Sequence, residues 1–266
     1  MDRIITSLPF VITSGGSWRL GADMDAWACP GAAITSLVPD VDLFGNGHWL
    51  INSAGPQAQG VAFFAENVSR IRVHGLNCFG AGWRHNVHLK STDGFASGGH
   101  VVERNKLSAN FRAVRVEGSD NMVLDNLIRD VGGAAWGADL YCFGVEVYGP
   151  DAIVRQNTIL EVNGAGESVG VSLTAGAHRA LVDGNIIKNK VRLPRSMAVW
   201  VGADQSGVRI TGNQFIGYKR CLFGAASSGL ADGNRDENCG PLPGEDAHDL
   251  YDIPGADDWT GSNMGA

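Results

Sequence analysis

The chain lacks any run of about 18 consecutive apolar residues, so no segment reads as a membrane-crossing helix. No stretch keeps helical periodicity over three turns, which removes the helical bundle and α/β classes. Basic residues are scarce. Lys and Arg number 21 against 28 Asp and Glu, giving a net charge of −7 without a basic stripe, so a nucleic-acid backbone is not the expected partner. The five cysteines (Cys29, Cys78, Cys142, Cys221, Cys239) are far apart and form no CxxC pair, so free buried thiols are expected rather than a disulfide framework or metal site. His48, His74, His85 and His178 have no metal-ligand spacing and read as turn or core residues, and neither metal nor cofactor is expected. Residues 1–6 lack the basic region and apolar core of a secretory signal, so the expectation is a cytoplasmic protein unless a leader has been removed.

What is present is a repeat. Short β-branched strands open at Ile34, Val61, Val87, Val114, Val145, Val171, Val199 and Leu222, about 26 residues apart. A second strand in each unit ends in Asn, and Asn105, Asn126, Asn157, Asn185 and Asn213 share one column. A fixed period of this size, made of strands only, predicts a β-helix. Stacked coils bring like residues about 4.8 Å apart, so the Asn column predicts a ladder of side-chain amides. His74 is expected to hold the ladder position in its coil, and His100 to be structural. The 37 glycines suit a chain that turns several times per coil. The expected fold is all-β: one solenoid domain over residues 1–235, of eight to nine coils, followed by an irregular acidic tail or cap over 236–266. Tyr251 or Trp259 of that tail is a candidate to fold back towards the cleft or onto a neighbouring subunit.

This pattern resembles the right-handed parallel β-helix superfamily, the pectate-lyase-like fold. The likeness starts in residues 8–20, similar to the family's opening strand and cap, and continues in Val41–Gly45 and the repeats up to about residue 235. It implies the fold and leaves the activity open, because the scaffold carries lyases, glycosidases, epimerases, transferases and non-catalytic proteins. Residues 192–195 and 199–204 only faintly resemble the arginine and tryptophan segments of the calcium-dependent pectate lyases. The Asn-Thr-Asp and Gly-His-Gly signatures of polygalacturonases and the Asp-Pro-His-Asp signature of alginate epimerases are absent.

The candidate site lies where long loops and outward charges coincide. Two loops are extended, 91–99 and 132–144, and the second carries Trp136, Asp139 and Tyr141 as candidate substrate contacts. If Val87 and Leu89 face inward, alternation places His88, Arg115, Glu146, Ser172 and Trp200 in one outward column. Lys90, Glu117, Tyr148 and Thr174 form the next. A plain ladder of ion pairs, Arg115–Glu146 and Lys90–Glu117, each worth at most about 1 kcal/mol, is one reading. The other is proton-transfer chemistry on a carbohydrate, with Trp200 and Ser172 as substrate contacts. In β-elimination of a uronate, Arg115 or Lys90 neutralises the carboxylate, and Tyr148 or His88 serves as base or acid, a nearby cation lowering the tyrosine pKa. In hydrolysis or glycosyl transfer, Glu117 and Glu146 form the pair; at roughly 7–8 Å they suit an inverting enzyme. The expectation is a cofactor-independent lyase acting on a glycan. Its alternatives are an inverting glycosidase or transferase, a small-molecule lyase or isomerase, and a non-catalytic glycan-binding or assembly β-helix. Homo-oligomerisation is left open.

Overall fold

The computed structural model describes residues 2–27, 29, 31–55, 58–132, 141–224 and 228–240, with the backbone of 251–252, 259–260 and 264–265. Every regular element among them is a β-strand. The strands fall into three parallel sheets of ten or eleven strands, and each successive turn of the chain adds one strand to each sheet. We name them A (Arg3–Ile5 onward), B (Phe10–Ile12 onward) and C (Met24–Asp25 onward). The expected parallel β-helix is therefore present. Its sheets extend beyond the eight strand openings of the repeat at both ends. Within 236–266, residues 236–237 complete the strand Arg235–Glu237 of sheet C. The backbones of Tyr251–Asp252, Trp259–Thr260 and Met264–Gly265 then pair onto sheets B, A and C in turn. The side chains of Tyr251 and Trp259 lie outside the described residues.

Alternation sets the core. Val87, Val114, Val145, Val171, Val199 and Leu222 stand in register along sheet B, and all are fully buried. One opening of the repeat needs correction. Ile34 pairs with Phe63, not Val61, and Phe63 pairs with Val87. The column therefore passes through Phe63, two residues after Val61 in the same strand, and a separate one-residue slip falls between Trp83 and His85.

The Asn column forms the expected ladder. Asn105, Asn126, Asn157, Asn185 and Asn213 each pass a side-chain N–H to the Oδ1 of the next rung at 2.9–3.0 Å, the last of them to Asn234. All six are buried. The ladder begins at Asn105, whose Oδ1 accepts the backbone N–H of Leu76 at 2.9 Å. Leu76, not His74, thus occupies the ladder position in the preceding coil. His74 pairs with Glu103, two residues earlier, and its ring stacks on Phe44 beside Asp42.

The corner after sheet B is tightly built. Gly118 has φ +105°, and a Cβ there would lie 1.9 Å from the Ser97 carbonyl oxygen of the coil below. The 91–99 loop is ordered by Asp93, which accepts the Ser97 N–H at 3.1 Å. Its Phe95 ring reaches Gly176, which follows the strand Ser168–Leu173, three coils further on. In the other long loop, residues 133–140, and with them Trp136 and Asp139, lie outside the described residues. The five cysteines are free thiols, with Cys78, Cys142 and Cys221 buried and Cys29 and Cys239 partly so.

Candidate functional site

The outer face of sheet B carries the expected column in the expected register: His88, Arg115, Glu146, Ser172, Trp200 and then Phe223. Beside it Glu117 pairs with Tyr148. A third column, on the other side, runs His85, Arg112, Phe143, Val169, Met197 and Arg220. Strict alternation from Val114 and Val145 assigns Arg112 and Phe143 to the interior. In the structure Phe143, Val169 and Met197 form a cluster separate from the main core and pack under Trp200 and Phe223. The first residues of these strands do not follow the alternation of the rest. The broken alternation between Arg112 and Arg115 was the one available signal for these residues.

The charges are linked in a chain. Arg112 Nε donates to Glu146 Oε2, and Arg115 Nη1 lies 3.5 Å from the same oxygen. Arg115 Nε donates to Glu117 Oε1 at 2.7 Å, and that oxygen also meets His88 Nε2 at 3.2 Å. The backbone N–H of Ser91 donates to the second Glu117 oxygen. The Tyr148 hydroxyl donates to Glu146 Oε1 at 3.3 Å, and the Arg115 guanidinium sits 4.5 Å from the centre of the Tyr148 ring. Although they lie on the outer face, Glu146 is only 2% exposed and Glu117 6%. Two expectations fail here. Lys90 does not pair with Glu117 but with Glu66 on the preceding coil, at 2.7 Å, and stands apart from the network. Glu117 is already held by two side chains and a backbone N–H, which leaves Lys90 to its other neighbour. Ser172 is fully buried, and its hydroxyl has no hydrogen-bond partner among the described residues, so it is closed to a substrate.

Burial sets the protonation states. Burial pushes the His88 pKa down, and Arg115 and Arg112 add to this; the Glu117 bond opposes without reversing it. His88 is therefore neutral near pH 7. Burial opposes ionisation of Glu117, yet His88, Arg115 and the Ser91 N–H outweigh it and leave Glu117 below the usual carboxylate range. Burial, then the Glu146 charge, raises Tyr148 above the usual phenol value despite Arg115. The expected lowering of the Tyr148 pKa by a cation is thus reversed. A carboxyl poised as a general acid needs a raised pKa, and Glu117 has the opposite.

A cleft of about 460 Å³ opens over part of this face. Its walls include Tyr141, Phe143, Trp200 and Phe223, and its floor includes Arg112, Glu146, Tyr148 and Thr174. The structure thus brings Glu146, Tyr148, Tyr141 and Trp200 together around one cleft. Arg115, Glu117 and His88 adjoin it through the ionic chain, with His85 stacked on His88 at 5.0 Å. Sequence reasoning missed Arg112, Phe143, Glu167 and Phe223 as wall and floor residues.

His100 has the structural role expected of it. His100 is 1% exposed, and its Nδ1 accepts the Ile71 N–H at 3.2 Å. Burial lowers its pKa to about 4. The unfolded chain takes up this proton near its ordinary value of 6.5, before the folded chain does. Stability is therefore lost as pH falls from about 6.5 towards 4, by about 3 kcal/mol from this group. Denaturation midpoints at pH 7.5 and 4.5 test this: the drop should be smaller in His100→Gln, and an equal drop would refute it.

One family model, described as periplasmic copper-binding protein (NosD), matches residues 48–227 of the 266. No curated protein and no solved structure matches the chain. The family match corrects the cytoplasmic expectation, because the family is described as periplasmic. That expectation rested on the opening residues alone, which do not decide the compartment.

Proposed function

The chain belongs to the NosD family of parallel β-helix proteins, and on that scaffold we propose that the outer face of sheet B binds a glycan and cleaves it by β-elimination. The observation that carries this reading is the cleft, in which aromatic walls suited to stacking on sugar rings stand over the Arg112–Glu146–Tyr148 floor. Neutral His88 supplies the base. With its Nε2–H donating to Glu117, the lone pair is on Nδ1. Tyr148, kept protonated by burial and by Glu146, supplies the proton to the leaving oxygen. The Arg115 guanidinium contacts Glu117 and lies against the Tyr148 ring, so it links the two groups. A guanidinium has five N–H donors, so Arg112 and Arg115 can bind a uronate carboxylate while holding their glutamates, which lowers the energy of the carbanion. The low Glu117 pKa argues against a hydrolytic pair made of Glu117 and Glu146.

The copper in the family description finds no matching donor set here. Among the described residues no three His, Cys, Asp or Glu side chains are placed to hold a metal ion. His85 and His88 come closest as nitrogen donors, but their rings stack at 28° to each other, so the in-plane lone pairs do not converge. Arg112 and Arg115 beside them further disfavour a cation. Cys221 and Cys239 offer two sulfurs without a third donor. No step of the proposal runs through a metal.

The test is incubation with uronate-containing and neutral glycans, following unsaturated-uronate absorbance and new reducing ends together. Both should rise for one uronate glycan, and Tyr148→Phe and His88→Gln should each lower the rate by about 100-fold or more with the fold retained. Reducing ends without absorbance would mean hydrolysis and overturn the elimination. A second reading, glycan binding without cleavage, is favoured by the mutual saturation of the arginines and glutamates, and calorimetric binding with both signals silent would select it.

A further inference from the structure

Two cysteines distant in sequence meet at the far end of the solenoid. Cys221 belongs to the strand Arg220–Gly224 and is fully buried in the main core. Cys239 follows the strand Arg235–Glu237, packs against the same core and is partly open to solvent. The turn carrying Cys239 is fixed on both sides. Gly217 N–H donates to the Glu237 carbonyl at 3.0 Å, and Gly240 N–H to the Tyr218 carbonyl at 3.2 Å. Arg192 Nη1 donates to the Gly240 carbonyl at 2.8 Å. These bonds stack the turn carrying Cys239 on the Gly217–Tyr218 segment that leads into Cys221 on the preceding coil, with both cysteines against the same core.

We infer that Cys221 and Cys239 are a disulfide-forming pair, which closes when the protein meets an exogenous disulfide and ties the 235–240 segment to sheet B. The pair is chemically unequal. The neighbouring Cys221 thiol favours the Cys239 thiolate, while the same neighbourhood and burial raise the Cys221 pKa. Cys239 is also the more exposed, so it attacks first. Its thiolate displaces one thiolate from the exogenous disulfide and forms a mixed disulfide. Cys221 then loses its proton to solvent, and its sulfur attacks the Cys239 sulfur, expelling the second thiolate. The two protein thiols lose two electrons, and the exogenous disulfide gains them as two thiols. Closure fixes the chain between residues 221 and 239 into a loop and so restricts the unfolded state.

The experiment uses the full chain, reduced and then incubated with oxidised glutathione. After denaturation and alkylation, intact mass should show that two of the five cysteines escape alkylation, and peptide mapping should give a Cys221–Cys239 crosslink. Cys221→Ser and Cys239→Ser should each alkylate at every remaining cysteine. The thermal midpoint of the parent should rise on oxidation and return with reductant, and those of the two variants should not. Five alkylated cysteines in the oxidised parent would overturn the inference. So would a crosslink to Cys29, Cys78 or Cys142, or a glutathione adduct on Cys239 that goes no further. Copper held by the pair and blocking the crosslink, read by elemental analysis, would also reject it.

Discussion

Asn157→Ala should destabilise the protein by about 4 kcal/mol, the sum of a few buried groups left unpaired at about 1–3 kcal/mol each. The Asn157 amide donates to the Val123 carbonyl at 2.8 Å, the Arg155 carbonyl at 3.0 Å and Asn185 Oδ1 at 3.0 Å. Its own oxygen accepts both the backbone and side-chain N–H of Asn126. No water reaches these groups to replace the bonds, because Asn157 is 1% exposed and its ladder neighbours are as deeply buried. The effect should also spread, since each rung orients the amide of the next. Urea denaturation followed by circular dichroism measures it, with Thr92→Ala as the comparison. The Thr92 hydroxyl also bonds a neighbouring coil, through Asn67, but in an exposed setting, and its loss should cost less than about 1 kcal/mol. Equal losses at the two positions would mean that the ladder adds nothing beyond an ordinary surface contact.

The second large effect concerns the cleft floor. Glu146→Ala should cost about 3–5 kcal/mol, because it removes the carboxylate that holds the largely buried Arg112 and leaves Arg115 with Glu117 alone. The double variant Arg112→Ala/Glu146→Ala should lose less than the sum of the single losses, since removing both partners leaves fewer stranded charges. Glu146→Gln, of the same shape, separates stability from chemistry. It removes the charge that helps to hold Tyr148 protonated, so the Tyr148 pKa should fall and the alkaline limb of the pH–rate profile should move to lower pH. Denaturation midpoints and that profile together are the check. If Glu146→Ala unfolds at the parental midpoint, the ionic chain is a surface ornament and the site argument built on it fails.

The sequence carried the fold in a form that needed little beyond counting. Like residues stack on like in a solenoid, so the Asn column and the His88–Arg115–Glu146–Ser172–Trp200 register could be read from period and alternation alone. The failures lie where those two rules stop applying. Phe63 rather than Val61 stands in the column of Ile34 and Val87, because the two are two residues apart in one strand and alternation does not choose between them. Arg112 and Phe143 were missed because the first residues of their strands do not keep the alternation of the rest, a break that only the Arg112–Arg115 spacing betrays. Lys90 was matched to the wrong glutamate because alternation gives the column but not which of two neighbours, Glu66 or Glu117, is already taken. Protonation was least legible. The charges beside Tyr148 were evident, but not the degree of burial, and burial decides the direction of its shift.

Phe95 reaches across three coils to Gly176, and this changes how the molecule comes apart. A stack in which each coil touches only the next unravels from its ends, one layer at a time. A ring that spans from the coil of strand Trp83–Lys90 to the coil of strand Ser168–Leu173 works as a clasp, so the four coils it encloses should open as one block. Hydrogen exchange should then report a single opening energy over residues 83–173, with graded fraying confined to the layers outside it.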